Sequence, residues 1–530
     1  MIAHSQKLLS ISKSSQTLRK TFLNMGVKMK LNQLSPLVTA LGLSTCMVSV
    51  GAQQATAMQP ASAASVASSQ ALAQVVEQAI MTHPEVRARY QDFTSSLEGQ
   101  QIARAGWRPQ VTAQGWVGKE WRSNVPNAPS SDWSRPGWSL ELRQLIFDGA
   151  AVSNNIQQMG FEKLSKYYDL RATTENLASE AVAAYLDVQR YREMSQLASD
   201  NFSMHQTTLK QLRERQQSGV GRGVDLEQAS GRVSLAQTNL MTESNNLNDV
   251  TQRYRRVVGA YPGATLEAVP AVSEKLPVPG VTTDFGDALR INPALLSKQA
   301  LVQAAEAGEK VAKAAHSPTV ELRASTGRDR EEPGNAFRDV QSSRVQVLLT
   351  YNLYRGGADE ARQRQTIAQA YAARDVRDYT CRNVQQELAV AWNNITRLRQ
   401  QLPFMREHEQ STSKVRVAYQ QQFQIGQRSL LDLLDTENEL FDARRALVNA
   451  QYDLKKMEYQ WLTLAGQVLP VLGLAQPHTE ARPEEQQDLA LMDDALRNCL
   501  QPLPDTSNLA PVVVYRDGAE PPVLLSSTKP

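Results

Sequence analysis

The sequence predicts a mainly α-helical chain that repeats one helix, strand, strand, helix, helix unit twice, with strands long enough to cross a membrane. Three observations carry this. Signals recur at fixed offsets: Pro84 and Pro109 answer to Pro293 and Pro318 at 209 positions, and Gly149, Gly219 and Asp225 answer to Gly356, Gly426 and Asp432 at 207. Apolar and polar residues alternate in short segments of each copy, the period of a half-buried strand. Near the end of each copy apolar residues recur every seven positions, the signature of a coiled coil. The offset slips only between Pro109 and Gly149, so a loop there absorbs two residues while rigid elements keep register. Units this long are not solenoid repeats, and two copies are expected to form one pseudo-symmetric body.

Composition narrows the function classes. The 530-residue chain is 41% hydrophobic and 6% aromatic, with a mean hydropathy of -0.42, which is low for a large conventional core and suits long thin helices. Net charge is +3, with Lys and Arg interleaved among Asp and Glu; nothing here favours nucleic acid. Cys46, Cys381 and Cys499 are too few for a disulfide scaffold or a multi-cysteine metal site. Cys381 and Cys499 can pair in an oxidising compartment and tie the tail to the second long helix, but free thiols are the expectation.

Residues 1–57 read as an N-terminal extension and signal peptide. Lys28 and Lys30 precede an apolar run over 34–50, and small-residue cleavage sites follow at Val50-Gly51-Ala52 or Ala55-Thr56-Ala57. Translation starting at Met25 or Met29 would give a signal of ordinary form. Pro36, Ser44 and Thr45 interrupt the run, which is short for a spanning helix, and Thr45 stands where lipid attachment at Cys46 would need a smaller residue. A flexible Ala/Ser/Gln linker, 58–70, leads to repeat 1 at 71–265. A second linker covers 266–283, repeat 2 covers 284–468, and a tail rich in proline and acidic residues runs over 469–530, with at most one short helix near 484–500.

Within each repeat a first helix is predicted over 72–106 and 285–316, broken at His83-Pro84 and Asn292-Pro293, where proline suits a first helical turn. Strands follow at about 110–121 and 136–147, then at about 318–329 and 341–354, on the alternation of Trp138, Leu140 and Leu142, of Val320, Leu322 and Ala324, and of Val345, Val347, Leu349, Tyr351 and Leu353 with polar neighbours. Polar loops join them at 122–137 and 330–339. Helical periodicity then holds over 150–217 and 357–424, each about 100 Å long if continuous, with Pro403 expected to interrupt the second. The return helices carry the heptads: Leu226, Val233, Leu240, Leu247 and Tyr254, with Ala229, Ala236, Glu243, Val250 and Val257 beside them, and 207 positions later Leu433, Leu440, Leu447, Leu454 and Trp461.

Strands of this length suit a bilayer, but four cannot close a barrel, which needs roughly eight. An open edge in lipid leaves backbone groups without partners, so transmembrane strands would require several copies of the chain. The alternative is a soluble sandwich whose strands pair internally. Trp116, Trp121, Trp133, Trp138, Tyr351 and Tyr354 favour the membrane reading.

In order and in local phrases the chain resembles the TolC-like outer-membrane efflux and secretion channels. The phrases are Ala79-Ile80-Met81-Thr82-His83-Pro84-Glu85 and Ala288-Leu289-Arg290-Ile291-Asn292-Pro293, Leu145-Ile146-Phe147-Asp148-Gly149-Ala150 and Leu353-Tyr354-Arg355-Gly356-Gly357, and Ser429-Leu430-Leu431-Asp432-Leu433-Leu434-Asp435. The resemblance implies a homotrimer with a transmembrane β-barrel of twelve strands continuous with an α-helical coiled-coil barrel in the periplasm. It implies a periplasmic adaptor, an inner-membrane ABC or other transporter, an exported substrate and outer-membrane lipid as partners. The phrase from Gly219 to Arg232 is similar to the branch serving type I secretion of large adhesins; small-molecule efflux, or a periplasmic scaffold that conducts nothing, are the alternatives.

Carried onto this sequence, the family's gate puts Asp432 and Asp435 at the pore constriction, with Arg428 and Asp225 of a neighbouring coiled coil in the ties that hold it shut. Phe423 stands where the prototype has tyrosine and Val224 where it has threonine, so two hydroxyls are missing and closure would rest more on packing. The plain alternative is that Asp225 and Asp432 are first-turn acids that cap their helices. Catalytic, cofactor and metal sites are not expected. His4, His83, His205, His316, His408 and His478 are scattered, and Gly219-Val220-Gly221-Arg222-Gly223 joins two helices where a nucleotide loop would join strand to helix.

Overall fold

The computed structural model describes residues 71–122, 131–219, 221–276, 285–331 and 338–477, together with Pro483; the expected signal peptide, the linker at 58–70 and the short helix near 484–500 lie outside the described residues. The helices are α1 (Leu72–Thr82), α2 (Pro84–Arg104), α3 (Ala151–Gln217), α4 (Gly223–Val258), α5 (Gly286–Ile291), α6 (Pro293–Ala314), α7 (Ala358–Gln424), α8 (Leu430–Leu464) and α9 (Val468–Val471). Four strands, β1 (Gln110–Arg122), β2 (Ser131–Phe147), β3 (Thr319–Glu331) and β4 (Arg338–Thr350), form one antiparallel sheet in sequence order.

The first helix of each repeat is two helices meeting at a proline. His83 and Asn292 are extended, as a residue before proline must be, and each caps the helix that follows. Asn292 does more: its Oδ1 accepts from Leu295 N–H at 2.8 Å while its Nδ2 donates to the Leu464 carbonyl at 2.7 Å. That bond holds the start of α6 against the end of α8. The turns into the long helices use two consecutive left-handed residues, Gly149 and Ala150 before α3 and Gly356 and Gly357 before α7.

Several expectations need correction. The strand expected over about 341–354 is β4, Arg338–Thr350, so Tyr351 and Leu353 lie beyond it. Pro403 does not interrupt the second long helix: α7 runs unbroken from Ala358 to Gln424. Pro403 sits on an exposed turn, where the carbonyl it leaves unpaired can meet water. The loop expected through residue 137 is shorter, because β2 already begins at Ser131. Pro136 lies inside it, paired only with Val117 of β1, since pairing with β3 starts at Gly137; a strand with one neighbour tolerates a proline. Finally, Cys381 is disulfide-bonded, not a free thiol, and it is buried in the main core.

That core gathers α1, the middle of α3, the end of α4, α5, the middle of α7 and the end of α8. α3 packs against α4 in one hairpin and α7 against α8 in the other, while α6 and α8 of repeat 2 both lie on α3. A separate small cluster of Leu212, Ala229, Phe423, Leu430, Leu433 and Leu434 joins the two hairpins at their far turns.

Candidate functional site

Two regions can carry function, the sheet and the hairpin tips. The register of the sheet sorts its side chains over the half nearer the helices, while towards the loops the same apolar face carries the ion pairs Lys119–Asp132 and Arg328–Asp339. Val111 pairs with Leu142, Leu142 with Ala324 and Ala324 with Val345; Leu322 pairs with Val347, and Val320 with Leu349. All of these share one face, where Val117, Trp138, Leu140, Val345, Val347 and Leu349 are exposed. The opposite face is charged. Arg135 bridges Glu120 at 2.9 Å and Asp329 at 3.0 Å, and Glu321 is held between Arg143 and Arg323. Along β2 the charged-face positions 133, 135, 137 and 139 are buried or half-buried while 134, 136, 138 and 140 are exposed, and towards the helices the order reverses, with Glu141 and Arg143 exposed and Leu142 half-buried. In the wall of a membrane barrel the polar face lies within and the apolar face without. β1 and β4 each pair on one side only, and no described helix is long and apolar enough to cross a membrane.

At the tips the chain reverses through left-handed Gly219 and Gly426. Ser429 caps α8, its hydroxyl accepting from Asp432 N–H at 3.2 Å. Arg428 lies over the Tyr419 ring at 3.9 Å, with its Nε 3.5 Å from Asp432 Oδ2 but without a hydrogen bond, a loose ion contact. Asp435 instead takes a direct bond from Arg232 Nη2 at 2.7 Å. Phe423 is buried in the tip cluster with Arg215 stacked on it at 5.0 Å. Asp225 occupies the first turn of α4 and makes no ion pair among the described residues. Within one chain, then, Asp432, Asp435, Arg428 and Phe423 gather at the joined tips, and no Arg428–Asp225 tie forms. The residue that sequence reasoning missed is Arg232. Its signal was available, because it follows Asp225 by one heptad and so shares a helix face with it.

One further polar contact crosses the hairpins. His205 of α3 is buried and hydrogen-bonds Asn438 of α8, and burial pushes its pKa below the ordinary 6.5. Among the described residues no cluster of His, Cys, Asp or Glu could hold a metal ion.

The two halves of the chain each match one family model, that of the outer membrane efflux protein, over residues 75–260 and 285–467. The chain belongs to the outer membrane efflux protein family. Its relatives include outer membrane efflux protein BepC of Brucella suis, 26% identical over 72% of this chain and 82% of that protein. Outer membrane protein TolC of Escherichia coli is 24% identical over 72% and 79%, and the alkaline protease secretion protein AprF of Pseudomonas aeruginosa 23% over 71% and 80%. Among solved structures the CmeC outer membrane channel of Campylobacter jejuni superimposes with a TM-score of 0.68 at 14% identity, over 81% of this chain and 90% of that one; at that identity the likeness is one of fold. This member of the family is an outer-membrane protein, and its class is that of efflux and secretion channels.

Proposed function

We propose that the chain is the export duct of a type I protein secretion system, a passive homotrimeric conduit without catalytic activity. The observation that carries the duct is the sheet: four strands with an apolar face, a charged face and two free edges. In lipid those edges require partners, and further copies of the same sheet supply them; three copies make twelve strands, an even number within the range that closes. An inner-membrane transporter supplies the energy and a periplasmic adaptor joins it to the tips. The reading of protein cargo rests on the phrase 219–232; among the relatives AprF is named for alkaline protease secretion and BepC for efflux.

The gate on this reading is the joined tips. Asp432 and Asp435 ring the constriction, Arg428 and Arg232 partly neutralise them, Phe423 packs the closed state, and Asp225 is free to meet a neighbouring chain. Carboxylates crowded in a narrow lumen favour cations. Planar-bilayer recordings of purified trimers test the duct, and absence of conductance sinks it. In the same recordings Asp432→Ala with Asp435→Ala should lower cation selectivity and block by multivalent cations, while Arg232→Ala should raise both; unchanged traces would remove these residues from the gate. Deleting the gene and comparing secreted proteins with drug sensitivity separates protein cargo from small molecules.

A further inference from the structure

The disulfide at Cys381 serves neither the sheet nor the tips, and its surroundings show where it leads. Cys381 opens the best-covered stretch of α7. With Val384, Gln385, Leu388, Ala391 and Ile395 it supplies six of the ten buried residues in that 67-residue helix. The chain has three cysteines, so the partner is Cys46 or Cys499 unless a second copy supplies it. On export the expected signal peptide is removed, and Cys46, which precedes both cleavage sites, goes with it. Cys499 is the partner that the exported chain retains, in a compartment where disulfides persist.

The route from the end of repeat 2 to Cys381 is open. Leu474, just after α9, packs against the same core that holds Cys381, and Pro483, further along the tail, is buried. From Pro477 to Cys499 the chain has 22 steps, a reach of up to about 75 Å when extended. The helix expected near 484–500 also has the right face. At 100° per residue, Leu489, Met492, Leu496, Cys499 and Leu500 fall within about 100° of its circumference, and no other residue of 489–500 does. Cys499 therefore lies in line with an apolar stripe that needs a surface to cover it. Pro483 stands just ahead, where proline suits the start of a helix.

We propose that Cys499 is the partner of Cys381, and that segment 484–500 of the same chain docks its apolar stripe on α7 around Cys381 as a covalent clasp. The two cysteines are 118 positions apart, and loops of that length are those in which a cross-link restricts the unfolded chain most. The closed loop contains the rest of α7, the tip with Arg428 and Asp432, and all of α8 and α9. The second hairpin is thus tied at its base while its tip stays free to move. The clasp depends on export from the cytoplasm and on neither the cargo nor the gate residues.

Mass spectrometry of the exported, unreduced protein tests the pairing. Tryptic peptides 378–382 and 498–516 should appear joined and should separate on reduction. Cys381 found free, joined to Cys46, or joined to Cys381 of a second copy overturns the assignment. Native trypsin digestion of the full chain tests the docking. Cleavage after Arg497 should be at least about tenfold slower in the unreduced wild type than in Cys499→Ser, or in the chain carrying Met492→Asp with Leu496→Asp; equal rates overturn the docked helix. Thermal loss of the helical circular-dichroism signal tests the clasp as a unit. Without reductant, Cys381→Ser and Cys499→Ser should each lower the melting temperature by several degrees, and the double variant by no more than the larger single loss. Dithiothreitol should lower the wild type equally and leave Cys499→Ser unmoved. Additive losses, or a wild type whose melting ignores dithiothreitol, overturn the clasp.

Discussion

Ala150 is the one non-glycine residue with positive φ among the described residues, at 68°. Its counterpart in the second repeat is Gly357, at 79°, and both follow a left-handed glycine at the turn from strand to long helix. An L side chain in this region costs about 1–2 kcal/mol, and replacing it by glycine returns about 0.5–1 kcal/mol of that as backbone entropy. Ala150→Gly is therefore expected to stabilise by up to about 1 kcal/mol, and Gly357→Ala to destabilise by a similar amount. Thermal loss of the helical circular-dichroism signal checks both, and equal shifts of the same sign in the two variants would show that the turns are not equivalent. At this scale the sequence was a partial guide. Asp432, Asp435, Arg428 and Phe423 could be placed at the tips from the family resemblance, and the heptad spacing from Asp225 marks the face of Arg232, but its partner Asp435 lies 203 positions away, beyond what that spacing announces.

Glu175 shows how the elements are tied at the end of repeat 2. It projects from α3, is 1% exposed, and accepts from Val468 N–H at 3.0 Å at the start of α9 and from the Gln476 side chain at 3.3 Å. Burial raises its pKa from 4.5 to about 7, and the bonds from the Val468 and Leu469 amides and the charge of Arg171 only partly oppose this. Between pH 4.5 and about 7 the folded chain holds a proton that the unfolded chain has lost, so stability from this group is greatest below pH 4.5 and declines as pH rises through 7. At 1.36 kcal/mol per pH unit the full effect is up to about 3 kcal/mol. Glu175→Gln should flatten the fall in thermal stability between pH 5 and pH 8; a fall of unchanged size would assign it to other groups. His205 works in the opposite sense, its lowered pKa withdrawing stability as pH drops below 6.5. The heptads of α4 and α8 were legible because a seam repeats itself along the chain. The start of β2 was not, because Pro136 reads as a breaker until the absence of a β3 partner at that level is known. Pro403 misled for the same reason: its cost depends on whether the freed carbonyl reaches water.

For the whole molecule, the two faces of the sheet make the most direct claim. Duplication and alternation exposed the architecture from sequence because both are periodic, whereas which face is concave depends on curvature that no single strand encodes. Val347 and Ser342 lie on the same strand, β4, Val347 on the apolar face opposite Leu322 and Ser342 on the charged face opposite Gly327. If the apolar face meets lipid, an arginine at Val347 must place its guanidinium in hydrocarbon at a cost of about 2–4 kcal/mol near the membrane midplane. An arginine at Ser342 stays in the aqueous lumen, and the same substitution there costs little. Val347→Arg should therefore reduce the yield of folded, heat-resistant oligomer in the outer membrane severalfold, while Ser342→Arg should leave assembly intact and shift ion selectivity towards anions. Equal assembly of the two variants would mean that neither face touches lipid. The sheet would then be the soluble sandwich that its strands alone could also have formed.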